Sequence, residues 1–173
     1  MNTQDLARQI YHVAHLTGTF QLRSGQTSHE YFDKYQFEAR PDILRAIAEH
    51  LAPKLPRDTQ ILAALEMGGI PVATALSLLT GLPLVFVRKE AKTYGTCKLA
   101  EGPALKNQRI CVIEDVITTG GQVVISTQEL RALGAIVNDV ACVIYRGPGG
   151  AAPAIREMGL NQINLFTREQ LQP

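Results

Sequence analysis

Four short stretches of the chain are apolar almost without interruption: residues 61–65 (ILAAL), 84–87 (LVFV), 110–114 (ICVIE) and 140–145 (VACVIY). A strand with one face in water alternates apolar and polar residues. Continuous runs rich in Val and Ile belong to strands covered on both faces, as a parallel sheet requires. Between these runs lie segments 42–52, 72–79 and 122–133, whose apolar residues recur at helical spacing. In the last of them Val123, Thr127 and Leu130 form one stripe, and Gly134 stands where a helix stop is expected. The order of segments predicts an α/β fold, with one mostly parallel sheet flanked by helices on both faces. Arg40-Pro41 and the Gly147-Pro148-Gly149-Gly150 stretch mark turns. The first 40 residues depart from the alternation: a helix is expected over 4–15, then a Gly-rich segment covering one edge of the 42–150 core. No repeat or linker divides residues 1–173, which read as a single domain.

Composition narrows the function classes. With 173 residues, 46% of them apolar, the chain can bury a core without disulfides or a structural metal. Its net charge of +1 argues against a dedicated nucleic-acid binder, whose phosphate contacts demand a basic excess. Cys97, Cys111 and Cys142 show neither disulfide nor zinc-ribbon spacing, and the last two sit in apolar runs expected to be core. The N-terminal stretch is amphipathic, without the apolar run of a signal peptide. The uncharged run 67–87 is interrupted by Pro71, Gly81 and Pro83, so it reads as helix, turn and strand, not a membrane span. A soluble, cytoplasmic protein is expected.

The chemistry concentrates in ICVIEDVITTGGQ, residues 110–122. An apolar strand is expected to end at the acid pair Glu114-Asp115; Val116 and Ile117 follow, then Thr118-Thr119-Gly120-Gly121 and a helix. Open α/β sheets bind ligands at the carboxyl ends of their strands. Small residues let backbone N–H groups converge there, and the helix N-terminus behind them completes an anion cradle. The threonine hydroxyls add donors for a phosphate monoester. The acids would repel that phosphate and suit neighbouring sugar hydroxyls. The motif is neither a Walker loop nor a GxGxxG fingerprint. An ordinary glycine-rich turn with two solvated acids is the alternative, but it leaves the joint occurrence of acid pair and Thr-Thr-Gly-Gly unexplained.

These thirteen residues resemble the phosphoribosyl-pyrophosphate (PRPP) motif of the type I phosphoribosyltransferases. The resemblance implies that Glu114 and Asp115 hold the ribose 2- and 3-hydroxyls, and that Thr118, Thr119, Gly120, Gly121 and Gln122 hold the 5-phosphate, with Val116 and Ile117 between them in the PRPP-binding segment. Residues 88–102, RKEAKTYGTCKLAEG, carry a local basic excess between Gly-flanked ends, as a mobile cationic lid would. The order Arg-Lys-Glu-x-Lys-x-aromatic-Gly is similar to the catalytic loop of orotate phosphoribosyltransferases. By that likeness Arg88, Lys89 and Lys92 meet the pyrophosphate and count as catalytic together with Asp115. Tyr94 stands where many bacterial members have histidine, and a phenol there can hydrogen-bond but carry no positive charge near neutrality. The loop is expected to act across a homodimer interface.

Residues 18–34, GTFQLRSGQTSHEYFDK, resemble the N-terminal hood of the same enzymes. Arg23 falls where many members have a substrate-contacting lysine. Tyr31 and Phe32 match residues lining the orotate ring, and Arg146 matches an orotate-binding arginine; Thr118 also borders that base. Glu66-Met67-Gly68-Gly69-Ile70-Pro71 looks like the family's pyrophosphate loop. His12, His15, His29 and His50 have no ligand spacing; His12 and His15 are expected at the surface or an interface. The likeness therefore implies Mg²⁺-dependent transfer of phosphoribosyl from PRPP to orotate, with Mg²⁺ held by PRPP and water and not directly by the protein, and with no nucleic-acid or membrane partner.

Overall fold

The computed structural model describes residues 1–21, 25–90 and 99–171; Arg23, Lys92, Tyr94 and Cys97 lie outside them. The expected alternation is present. A six-stranded sheet is built from β3 (Ile61–Leu65), β4 (Leu84–Val87), β5 (Ala100–Glu101), β6 (Arg109–Ile117), β7 (Ile136–Tyr145) and β8 (Asn161–Thr167), in the order β5-β4-β3-β6-β7-β8. Every neighbouring pair is parallel except β4 with the two-residue β5.

The apolar runs form strands because both faces are covered. In β3, Leu62 and Ala64 enter one core, while Ile61, Ala63 and Leu65 enter the other. The first core packs against α1 (Thr3–Ala14), α3 (Pro41–Leu51) and α4 (Gly69–Thr80) through Leu6, Ile10, Ile47 and Leu76. The second is covered by α5 (Gly121–Ala132) and α6 (Pro153–Glu157) through Val123, Leu130 and Ile155. The stripe Val123, Thr127 and Leu130 is buried as the sequence predicts, and Cys111 and Cys142 are buried in the core.

Three features depart from the sequence reading. β6 does not end at the acid pair but runs on to Ile117, so Glu114 and Asp115 lie within the strand. The segment after α1 is an antiparallel hairpin, β1 (His15–Gln21) with β2 (Thr27–Phe32), separate from the main sheet. It is followed by the short helix α2 (Tyr35–Glu38). Finally, residues beyond 150 supply a sixth strand, β8, and a terminal helix, α7 (Arg168–Leu171). Among the described residues no helix is long and apolar enough to cross a membrane.

The topology fixes where a ligand can sit. From β3 the chain crosses to β4 on one side, while β6, β7 and β8 extend the sheet on the other. Strand order therefore reverses between β3 and β6, and a crevice opens at their carboxyl ends.

Candidate active site

β6 delivers its carboxyl end to this crevice, and α5 begins directly after the turn at 118–120. Gly120 makes the turn possible in two ways. Its φ of 81° is left-handed, and a Cβ there would lie 2.7 Å from Ile155 Cγ1 on α6. Val124 N–H donates to the Gly120 carbonyl at 3.0 Å, so the helix starts at once and its first N–H groups face the crevice. A cavity of about 180 Å³ is lined there by Glu114, Thr118, Thr119, Gly121 and Gln122, among others. Both threonines are exposed. The place has the size, donors and helix polarity for a phosphate.

Across the crevice, the turn between β3 and α4 presses against the acids. A Cβ on Gly68 would overlap Asp115 Oδ2, and one on Gly69 would overlap the Ile113 carbonyl. Only glycine permits this approach. Glu66 Oε1 accepts from the Lys89 backbone N–H at 2.6 Å, tying that turn to the end of β4. Arg88 and Lys89 thus stand at the rim of the same crevice, and the buried Arg88 Nε has no hydrogen-bond partner among the described residues.

The acid pair is buried: Asp115 is 0% exposed and Glu114 9%. Two further groups meet it from the segment after β2. Lys34 Nζ lies 2.6 Å from Asp115 Oδ2, and the buried carboxyl of Glu38 adjoins the same aspartate. Burial, then the neighbouring Asp115, pushes both Glu38 and Glu114 up to about 9. For Asp115 burial acts upward, but the close approach of Glu114, Glu38 and above all the Lys34 ammonium outweighs it and holds this carboxyl below its ordinary range. For Lys34 burial is the largest single influence and acts downward, but the contact with Asp115 and the charges of Asp115, Glu114 and Tyr35 together outweigh it and raise this ammonium above its ordinary value. At neutral pH the cluster therefore holds one carboxylate, two protonated carboxyls and one ammonium. Asp115 Oδ1 also accepts from Val116 N–H at 2.5 Å. Such a cluster offers hydroxyl-binding groups without presenting net negative charge to a nearby phosphate.

The hairpin lies beside the carboxyl ends of β7 and β8. A second cavity, of about 230 Å³, is lined by Tyr31 and Phe32 of β2, Arg146 after β7, and also His15, Glu30 and Arg168. The Arg146 guanidinium stands 5.4 Å over the Phe32 ring. Partial burial, then the Arg168 charge, lowers the Arg146 pKa from its ordinary value. Neither arginine forms an ion pair with a described residue, so the cavity is suited to a flat, anionic guest.

No family model matches the chain. A curated orotate phosphoribosyltransferase from Nocardioides sp. is 51% identical over 96% of this chain and 92% of its own length. The chain belongs to the orotate phosphoribosyltransferase family. Two crystal structures of the Mycobacterium tuberculosis H37Rv orotate phosphoribosyltransferase share its fold. One has a TM-score of 0.86 at 29% identity, covering 99% of each chain. The other, a complex with PRPP, has a TM-score of 0.82 at 27% identity, covering 98% of each.

Of the residues singled out from the sequence, Glu114, Asp115, Val116, Ile117, Thr118, Thr119, Gly120, Gly121 and Gln122 come together at one end of β6. Arg88 and Lys89 border them, and Tyr31, Phe32 and Arg146 share the neighbouring cavity. Thr118 lines the phosphate-sized cavity, not the aromatic one. His12 is exposed as expected, but His15 turns inward: its Nε2 lies 3.5 Å from Glu30 Oε2, and the ring stacks on Tyr11. Lys34, Glu38 and Arg168 were not legible as orotate phosphoribosyltransferase site residues. The available signal was the i, i+4 pair Lys34 and Glu38 directly after the hood motif.

Proposed function

We propose that this crevice transfers the phosphoribosyl group of PRPP to orotate, releasing pyrophosphate and forming orotidine 5′-monophosphate for pyrimidine synthesis. The observation that carries the reading is the pairing of a phosphate cradle and buried acid pair with an adjoining aromatic cavity that holds two guanidiniums. Glu114 and Asp115 bind the ribose 2- and 3-hydroxyls, while Thr118, Thr119, Gly120, Gly121 and Gln122 take the 5-phosphate. Tyr31 and Phe32 flank the orotate ring and Arg146 pairs with its anionic edge, while Thr118 reaches the base only from the adjoining phosphate cradle. Arg88, Lys89, Lys92, Tyr94 and Arg23 contact PRPP, the first three stabilising charge on the departing pyrophosphate.

The transition state has oxocarbenium character, so the chain needs no covalent nucleophile; it needs placement and charge neutralisation. Among the described residues no group of three or more His, Cys, Asp or Glu side chains could hold a metal ion. Asp115 Oδ2 is already met by an ammonium. This donor set fits a Mg²⁺ carried by PRPP oxygens, ribose hydroxyls and water, with Glu114 and Asp115 reaching it only through those hydroxyls. When bound, Mg²⁺ supplies charge neutralisation at the pyrophosphate.

Residues 1–173 act as one phosphoribosyltransferase domain, in a cytoplasmic homodimer whose 88–102 loop serves the neighbouring subunit. A pyrophosphate-release assay with orotate, adenine and hypoxanthine tests the activity: turnover is expected with orotate alone. Turnover with a purine, or PRPP binding without turnover on any base, would overturn it. Lys92→Ala should lower kcat far more than it weakens PRPP binding, and unchanged turnover would remove the lid from the mechanism.

A further inference from the structure

The acid pair is neutralised from an unexpected direction. Neither the 118–122 turn nor the 66–71 turn contains a basic residue, although the second presses against Asp115 and the first shares a cavity with Glu114. The cation at Asp115 comes from the hood segment, two residues beyond Phe32. Lys34 is 33% exposed in its side chain, so its stem spans from the open crevice to an aspartate with no solvent contact. It caps α2, whose last residue is Glu38, so one helical turn delivers both the ammonium and the extra carboxyl to Asp115. The ammonium also lies 5.3 Å from the Tyr35 ring centre, which restricts where it can go.

We propose that Lys34 is a positioning residue for phosphoribosyl transfer: its ammonium fixes the Asp115 carboxylate at the crevice wall and makes PRPP capture depend on the hood segment. The proposal rests on the reading of Glu114 and Asp115 as the ribose-binding acids. Its physical basis is that a buried carboxylate without a partner either takes up a proton or shifts towards water. Lys34 prevents both, holding Oδ2 while the Val116 N–H holds Oδ1. With Asp115 held, Glu114 beside it, which lines the cradle cavity, keeps a fixed direction for sugar hydroxyls.

The test is PRPP binding measured by calorimetry with Mg²⁺ present, alongside steady-state kinetics, on Lys34→Met, Lys34→Arg, Asp115→Asn and the double variant Lys34→Met/Asp115→Asn. Thermal unfolding is checked first, with Lys34→Gln replacing the methionine variant if that one does not fold. Lys34→Met should weaken PRPP binding at least about tenfold, since it strands a buried charge. The KM for orotate should stay within about twofold, and Lys34→Arg should recover most of the loss. In the Asp115→Asn background the lysine change should add little, because the two residues act as a unit. PRPP binding unaltered in Lys34→Met but weakened in Asp115→Asn overturns this proposal alone. Full additivity, or an arginine variant as weak as methionine, overturns it too. If Asp115→Asn also binds PRPP normally, the reading of the acid pair falls with it.

Discussion

The two halves of the crevice treat charge in opposite ways. Around β6 three carboxyls are buried, and the chain answers them internally: Lys34 pairs with Asp115, while Glu38 and Glu114 stay protonated. Beside the hairpin, Arg146 and Arg168 share a cavity and form no ion pair with a described residue. On the proposed reading, the difference distinguishes the half that takes a charged guest. A wall that balances itself is ready for neutral hydroxyls, and a wall with surplus guanidinium charge requires the ligand to bring the anion. Orotate, a planar carboxylate, and ribose, a polyol, divide along that line.

The sharpest way to break the comparison is Arg146→Ala. Losing a charge-assisted contact should raise the KM for orotate about a hundredfold and leave PRPP affinity within about threefold. Initial-rate kinetics varying each substrate would check this; equal damage to both would mean the two halves are not separable. Gly68→Ala attacks the other wall, because its methyl has no room beside Asp115. Overpacking of this kind costs about 1–3 kcal/mol. A drop in Tm of roughly 3–10 °C is expected, with weaker PRPP binding, by thermal melts and calorimetry. Thr119→Val removes one neutral donor from the cradle and should weaken PRPP binding about threefold to tenfold without moving the KM for orotate.

The smallest effect concerns pH. Glu38 has its folded pKa raised from an ordinary 4.5 to about 9, so the native state keeps a proton that the unfolded chain gives up. Its contribution to stability is complete below 4.5 and is lost as pH climbs through about 9. Glu38→Gln keeps a donor towards Asp115 but does not titrate. Tm measured against pH should therefore decline less steeply in the variant over this window, by roughly 2–4 °C at the alkaline end. Parallel Tm profiles would show that Glu38 is ionised in the native protein.

What could be read from the sequence follows how locally each feature is encoded. The cradle was legible because its acids, small residues and helix start fall within thirteen consecutive positions, and β3, β4 and β7 because both of their faces are apolar. The hairpin strands HLTGTFQ and TSHEYF are mostly exposed, so no burial pattern marks them. The edge strand NQINLFT is only partly buried and lacks a continuous apolar run. By its sequence pattern β6 ends at Glu114, because charge is rarely tolerated inside a buried strand. It continues because the partners that make those acids tolerable, Lys34 and Glu38, come from a distant part of the chain. Pairings across such sequence distances have no local signature.

One backbone contact at the end of β4 bears on how the segment between residues 88 and 99 can vary. Arg88 N–H donates to the Leu99 carbonyl at 2.9 Å, and β4 pairs with β5 just beyond, so the segment's two ends are stapled together before any ligand arrives. The entropy of closing such a loop rises only logarithmically, about 0.6 kcal/mol for each doubling of its length. Insertions or deletions between these anchors leave the register of the sheet untouched. On the proposed reading of this segment as the pyrophosphate lid, turnover can be tuned there by length as well as by side chains, with almost no penalty to the scaffold beneath.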